Sequence, residues 1–430
     1  MGRPSARLGA VSRARVTRAA GAGALAALAA LGLVRGLAEV PSGPGSERLP
    51  EYLAGPLEGL GIRLELTTSA AIFAGMVACY LVLVACGRSV PRIPALAVLT
   101  ALLVLFTLTP PRPHEDLFSY IAYARAGTLH HANPYVDGAG AVGPADPVAS
   151  LYAPSWRHLP SKYGPLFTLL TYATTPLGVA GAAWALKLLA GAAAAALLGL
   201  VAVVARRLGR DPVAAVLFVG LNPLVFVYAV GHAHNDLLMV AALVAGVAAL
   251  AAGREALGAG LGVLSAAIKP ASLLAVPFLV LGARSRRRAL AGAALATLAA
   301  LATTALAFGL PARLVRTLLS HVEGSGYWSV PGLAGRLLGV DLVSARTVLL
   351  AAFVLAYAIL IALAATRRLS AVTAAGWAMA ATLALSAIVL EWYLAWLLPL
   401  AALGDSRRLR WAALGLTVAV SALWPVRHLL

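Results

Sequence analysis

A chain of 430 residues that is 61% hydrophobic and 12% charged is not an ordinary soluble domain, in which about 25% of residues carry charge. Its formal net charge of +18 would suit a polyanion, but the arginines fall in short clusters between apolar runs, which excludes nucleic acid as the partner. Cys79 and Cys86 lie in one apolar run and supply no disulfide framework, metal site or redox pair.

Apolar runs recur from end to end, and about thirteen of them read as membrane crossings. In chain order they are 17–37, 68–87, 93–110, 179–205, 213–230, 236–252, 256–268, 270–283, 289–309, 344–365, 370–389, 393–404 and 411–427. The first follows Arg3, Arg7, Arg13, Arg15 and Arg18 and reads as a retained helix, since its Ala-rich run has no clear stop. Further arginine clusters stand at 206–210, 284–288, 367–368 and 407–410, whereas Glu39, Glu47, Glu51, Glu58, Glu115, Asp116, Asp137, Asp146 and Glu323 occupy the other set of loops. This positive-inside bias places the N-terminus in the cytoplasm and the segments 38–67, 111–178 and 310–343 outside a cell membrane. Long loops on one face alone mark that face for recognition. The expectation is one all-α polytopic membrane domain over 1–430, with 111–178 as the main outer catalytic segment and 310–343 as a second outer loop.

Three stretches do not read as simple crossings. Residues 164–178 are expected as a helix on the outer interface, because Arg206 must lie inside after one further span. Residues 256–283 form two halves too short to cross, broken at Ile268-Lys269-Pro270 near the outer leaflet, and 370–404 turn at Glu391-Trp392-Tyr393. Broken helices at this depth are tolerated where they line a cavity.

The run His114-Glu115-Asp116-Leu117-Phe118-Ser119-Tyr120 puts two carboxylates and polar aromatics at a membrane edge, where desolvated charge is costly. Acids in a first helical turn complement the helix dipole. The same Asp116 also suits a general base, with Glu115 as its substitute. In a helix, Asp116, Ser119, Tyr120 and Tyr123 share one face, a polar and aromatic patch fit for a sugar ring. Arg125 falls about half a turn from Asp116 and serves another contact or the scaffold. Asn133-Pro134-Tyr135 is either a plain turn or a sugar contact. Gly231-His232-Ala233-His234-Asn235-Asp236 reads as an outer turn. His234, Asn235 and Asp236 there suit sugar hydroxyls, bracing of the Asp116 loop or helix capping, and no neighbouring His or Cys completes a zinc set. A lipid-phosphate leaving group needs cations, for which Lys269 stands first. Lys187 follows, with snorkelling as its simpler account, then Arg313, Arg316 and Arg336. Tyr327-Trp328 and Trp392-Tyr393 suit either an aromatic belt or sugar stacking. No P-loop, dinucleotide fingerprint or nucleophile elbow stands in a suitable context. No metal site and no cofactor are expected, although carboxylates beside a phosphate can recruit Mg²⁺.

Taken in order, Asp116 with Ser119-Tyr120, Asn133-Pro134-Tyr135, Tyr163-Gly164-Pro165-Leu166, Gly220-Leu221-Asn222-Pro223-Leu224, His234-Asn235-Asp236 with Leu238-Met239, Lys269, and Trp392-Tyr393 with Trp396 resemble the GT-C membrane glycosyltransferases. Among these the chain is most similar to the actinobacterial polyprenol-phosphomannose-dependent α-1,6-mannopyranosyltransferases. The resemblance covers the chain from about residue 93, and 220–239 is its most specific part. It implies a GT-C-like bundle and an acidic residue in an early outward loop, a place only Asp116 and Glu115 fill here. It also implies transfer of a hexose, most simply mannose, from a polyprenyl-phosphate donor to a glycan or glycolipid acceptor, with inversion. His232 stands where glycine is expected, and Glu391 precedes Trp-Tyr where proline or a neutral residue is usual. A transporter or flippase of lipid-linked sugars is the alternative, set against the lack of internal repeats and the gathering of polar residues at one face.

Overall fold

The computed structural model describes residues 4–39, 50–57, 59–113, 115–309, 332, 335–336, 339–386 and 389–429. His114, Arg313, Arg316, Tyr327, Trp328 and most of the segment 310–343 lie outside the described residues. The architecture is 78% helical, in keeping with an all-α membrane protein, apart from a two-residue parallel pairing of Ala38 with Ile62 and Glu39 with Arg63.

Helices α1 (Pro4–Gly36), α2 (Leu66–Cys86) and α3 (Arg92–Leu108) open the fold, with α1 packed on both others. Pro110, Pro111 and Pro113 stop α3 from continuing, because proline lacks the donor a helix interior needs. The chain restarts as α4 (Asp116–Leu129), with Asp116 in its first turn. A short α5 (Pro165–Tyr172) leads through a Pro-containing 3₁₀ turn into the long α6 (Gly178–Arg207). Helix α7 (Pro212–Gly220) starts at Asp211, whose carboxylate accepts from the Val213 and Ala214 amides. Asn222-Pro223 then bends the chain by 58° into a π-helical stretch, Leu224–Val230. Asn222 holds that bend, accepting from the Leu224 amide and donating to Thr417.

Next come α8 (Asp236–Ala251), α9 (Glu255–Ile268), the 3₁₀ turn Pro270–Ala275, α10 (Val276–Gly282) and α11 (Arg286–Phe308). The described chain ends with α12 (Leu342–Ala365), α13 (Ala371–Leu385), the turn Glu391–Tyr393, α14 (Leu394–Leu403) and α15 (Arg407–Leu429). Helix α9 packs between α8 and α11, and α8 lies on α6.

Among the described residues, five segments are long and apolar enough to cross a bilayer: Arg15–Gly36, Leu66–Ser89, Pro165–Arg207, Arg286–Phe308 and Val343–Ala365. The bent pair Pro212–Gly220 and Leu224–Val230 makes a sixth if taken as one span. Other expected spans take the form of apolar helices of 10–17 residues. Apolar runs in sequence continue through the proline breaks that shorten the helices, so length alone does not reproduce about thirteen crossings. Leu295 and Leu298 on α11 and Val343 and Val348 on α12 face outward, an arrangement suited to lipid and costly in water.

Candidate active site

Four chain reversals meet at one end of the helices. They are the start of α4, the turn before α8, the break between α9 and α10, and the turn before α14. Each reversal has a local cause. Proline at 270 cannot extend α9, so Lys269 takes an extended backbone conformation at the break. The segment before α5 packs against that break: the Gly164 amide donates to the Ile268 carbonyl at 3.0 Å. A Cβ at Gly164 would lie 2.1 Å from the Ala267 carbonyl oxygen, so only glycine allows the approach. In the turn before α8, Ala233 adopts φ of 55°, a left-handed conformation that non-glycine residues seldom take. That residue separates the two buried histidines, His232 and His234.

The site holds two carboxylate centres of different character. Asp236 is fully buried and saturated: Lys269 Nζ donates to both of its oxygens at 2.8 Å, and Trp396 Nε1 donates to Oδ1. Tyr393 and Trp396 stack on each other, and their rings also face the Lys269 ammonium. Asp116 is freer. Among the described residues its only ion-pair contact within 4 Å is His234 Nδ1, at 3.5 Å. Burial pushes its carboxyl up, but Lys162, His234 and Lys269 more than offset this and hold it well below the usual carboxylate range. Beside it, Glu115 lies 3.2 Å from His232 Nδ1 and is 28% exposed. Burial raises its carboxyl too, and His232, His234 and Arg112 again outweigh it, leaving it below the ordinary range. His234 is stacked flat on Trp392, with centroids 3.5 Å apart.

The structure thus brings together Asp116, Glu115, His234, Asn235, Asp236, Lys269, Trp392 and Tyr393 of the residues expected from sequence. It puts the others into the scaffold. Ser119, Tyr120 and Tyr123 are expected on an open polar face, but α4 is buried from Asp116 to Ala124 and has no open face there. Ser119 donates to the Asp116 carbonyl, Tyr123 donates to the Leu159 carbonyl, and the Tyr120 ring packs edge-on to Tyr163 and Phe167. Arg125 is paired with Asp146 at 2.9 Å. Asn133 closes its own turn through the Tyr135 amide and donates to the Phe308 carbonyl. Tyr135 pairs its hydroxyl with the Tyr163 carbonyl and Thr168.

Lys187 does not snorkel: it is 0% exposed, and Nζ donates to the Phe106 and Gly231 carbonyls and to Thr109. These bonds tie the start of the 231–236 turn to the end of α3, and the enclosed Nζ is not open to a phosphate. Lys269, expected as the first phosphate ligand, is occupied by Asp236.

Sequence reasoning missed three residues here. Lys162 lies over the Trp156 ring at 4.3 Å with its charge acting on Asp116, and among the described residues it forms no ion pair within 4 Å. Its signal was its place directly before Tyr163-Gly164-Pro165. Trp396 caps Asp236. His232 approaches Glu115, so Glu115, His232 and His234 offer three possible ligand atoms within 4.8 Å of one another. The third ligand missing beside the histidines in sequence arrives from another segment.

Comparison with known proteins places this arrangement in a family. The model of the alpha-(1->6)-mannopyranosyltransferase N-terminal domain matches residues 18–285, well over half of the chain. The chain belongs to this family. The MptB C-terminal domain model matches residues 326–428. All four reversals therefore fall within matched regions, with Asp116, His234, Asp236 and Lys269 in the first and Trp392 in the second. Alpha-(1->6)-mannopyranosyltransferase A of Mycobacterium tuberculosis is 28% identical over 176 residues, covering 40% of this chain and 34% of that protein. The protein of the same name from Corynebacterium glutamicum is 27% identical over 193 residues, covering 42% of this chain and 37% of its own length. A probable alpha-(1->6)-mannopyranosyltransferase of Mycolicibacterium smegmatis is 30% identical over 148 residues, covering 32% and 25%. The chain thus aligns with little more than a third of these relatives' length at most. No solved structure matches the chain.

Proposed function

We propose that this protein transfers a hexose, mannose by the names of its relatives, from a polyprenyl-phosphate donor to a glycan or glycolipid acceptor. Transfer occurs at the outer face of the cell membrane, with the N-terminus in the cytoplasm and the chain acting as one GT-C-like membrane domain of about thirteen crossings, the short and broken helices counted. The observation that carries this reading is Asp116, a buried yet unsaturated carboxylate held ionised within a rim of aromatics and cations.

In the proposed step the acceptor oxygen attacks the anomeric carbon from the face opposite the phosphate. The new carbon–oxygen bond forms as the sugar–phosphate bond breaks, and its electron pair leaves on the phosphate oxygen. The acceptor proton passes to Asp116, and the anomeric centre inverts. A carboxylate of low pKa is a weak base, but positive charge builds on the sugar ring in such a transition state, so the acceptor hydroxyl becomes acidic as bonding proceeds. Lys162 meets the developing phosphate charge, since Lys187 is enclosed and Lys269 neutralises Asp236. Tyr393 and Trp392 border the sugar. No cofactor enters this step. Family membership favours bond formation over carriage of lipid-linked sugars.

The test is Asp116→Asn in purified protein supplied with labelled polyprenyl-phosphate mannose and a mannoside acceptor. Product formation should fall by at least ~100-fold with insertion and donor binding retained. Unchanged transfer refutes the assignment, and vectorial movement of donor without product identifies a carrier.

A further inference from the structure

The geometry points to a transition-metal site built from Glu115, His232 and His234, taking a borderline divalent ion such as Zn²⁺ or Co²⁺. Three observations converge on it. The first is distance: the three side chains present ligand atoms within 4.8 Å of one another. His232 Nδ1 and Glu115 Oε1 are 3.2 Å apart. Two ligands that each sit about 2.1 Å from one ion, at tetrahedral or right angles, lie about 3.0–3.4 Å from each other.

The second is orientation. Among the described residues His232 Nδ1 and both ring nitrogens of the fully buried His234 lack a well-aligned hydrogen bond, their nearest acceptors being Glu115 at 3.2 Å from His232 and Asp116 at 3.5 Å from His234. Leaving a buried polar atom unpaired costs about 1–3 kcal/mol. Coordination by one ion within reach of these nitrogens removes that cost.

The third is preorganisation. Ala233 holds a left-handed conformation between the two histidines, a strain that persists where the surroundings over-determine it. The stack on Trp392 fixes the plane of His234. Asp116 Oδ2, 3.5 Å from His234 Nδ1, stands where a carboxylate orients a metal-bound imidazole in many metalloproteins.

Two imidazoles and one carboxylate select Zn²⁺, Co²⁺ or Ni²⁺ over Mg²⁺ and Ca²⁺, which prefer all-oxygen ligands. Three protein ligands leave a coordination position for water or an anionic substrate oxygen. The partly exposed Glu115 carboxylate provides the way in. The ion would tie the 231–236 turn to the start of α4 and so set the position of Asp116 without replacing it as the base.

The test uses the full-length protein in detergent, stripped with a chelator and titrated with Co²⁺. Visible absorption reads the coordination, and elemental analysis reads the metal content after Zn²⁺ repletion. A single equivalent should bind, Mg²⁺ should not displace it, and Glu115→Gln or His232→Ala should weaken it by roughly 100-fold or more. His232→Cys should keep the site and add a sulfur-to-cobalt charge-transfer band, a signal only a ligand at that position produces. Absence of stoichiometric Co²⁺ in the wild type overturns the inference. So does affinity unchanged by either substitution, or a folded His232→Cys protein without the new band. Because binding is measured rather than sugar transfer, failure here leaves the proposed reaction untouched, and the converse also holds.

Discussion

Removing one partner of the Asp236–Lys269 pair should destabilise this protein far more than removing both. The pair is desolvated, with side-chain exposures of 0% for Asp236 and 8% for Lys269, and both N–O separations are 2.8 Å. At that distance, and at the effective dielectric of about 20 that suits buried sites, the attraction is about 6 kcal/mol before desolvation is subtracted. Lys269→Met leaves the Asp236 charge, among the described residues, with only the Trp396 indole as donor, and such orphaned charges cost about 3–5 kcal/mol. Asp236→Asn leaves a buried ammonium over two aromatic rings, which sheds part of its cost by losing its proton. The double variant leaves no charge at this pair and keeps an acceptor for Trp396, so it should lie within about 1–2 kcal/mol of wild type. A double-mutant cycle should then give at least ~2 kcal/mol of coupling. Reversible unfolding in mixed micelles, followed by tryptophan fluorescence, measures it. Additivity within ~0.5 kcal/mol would mean the two ions do not support each other, and the assignment of Lys269 as a structural counter-ion would fail.

The two other lysines should respond in opposite ways. Lys187→Met orphans the Gly231 carbonyl, while the Phe106 carbonyl keeps the Thr109 hydroxyl, and should cost about 1–3 kcal/mol of stability, leaving the donor KM of the folded fraction unchanged. A raised donor KM with intact stability would refute that. Lys162→Met should raise the donor KM by about 10–100-fold, the worth of one charge-assisted hydrogen bond, with the unfolding midpoint unchanged and partial rescue by Lys162→Arg. An unaltered donor KM would remove Lys162 from phosphate recognition.

Much of the local punctuation was legible in sequence, and little of the long-range pairing was. Ile268-Lys269-Pro270 announces its break because proline cannot continue a helix, and Glu391-Trp392-Tyr393 marks its turn as a charged and aromatic interruption of an apolar run. The convergence of His234, Asp236 and Lys269 could be anticipated as shared placement on one face, but which cation meets which carboxylate is set by packing. A lysine inside an apolar run looks the same whether it reaches the lipid surface or, like Lys187, is enclosed by three acceptors. Helix α4 misled for a related reason. Its serine and tyrosines form a polar stripe on a helical wheel, yet hydroxyls that find carbonyl partners are compatible with burial. Glu115 and His232 illustrate the limit most clearly, since they belong to two separate polar runs and only the fold sets them 3.2 Å apart.

The contrast between the two aspartates is what distinguishes a base from a brace. Both are buried and both sit in the first turn of a helix, at α4 and α8. Asp236 has its lone pairs committed to an ammonium and an indole, so it has little capacity to accept a proton from a substrate. Asp116 is kept ionised by Lys162 and Lys269 acting through space together with His234 beside it, and among the described residues that imidazole at 3.5 Å is its single ion-pair neighbour. A carboxylate stabilised by surrounding field rather than by saturated hydrogen bonds retains the lone pairs that proton transfer requires. Lys269 serves both residues at once, neutralising one directly and lowering the other through space. The break at Pro270 is what makes this possible: proline cannot continue α9, and Lys269 is left in an extended conformation at the reversal, where its ammonium meets Asp236.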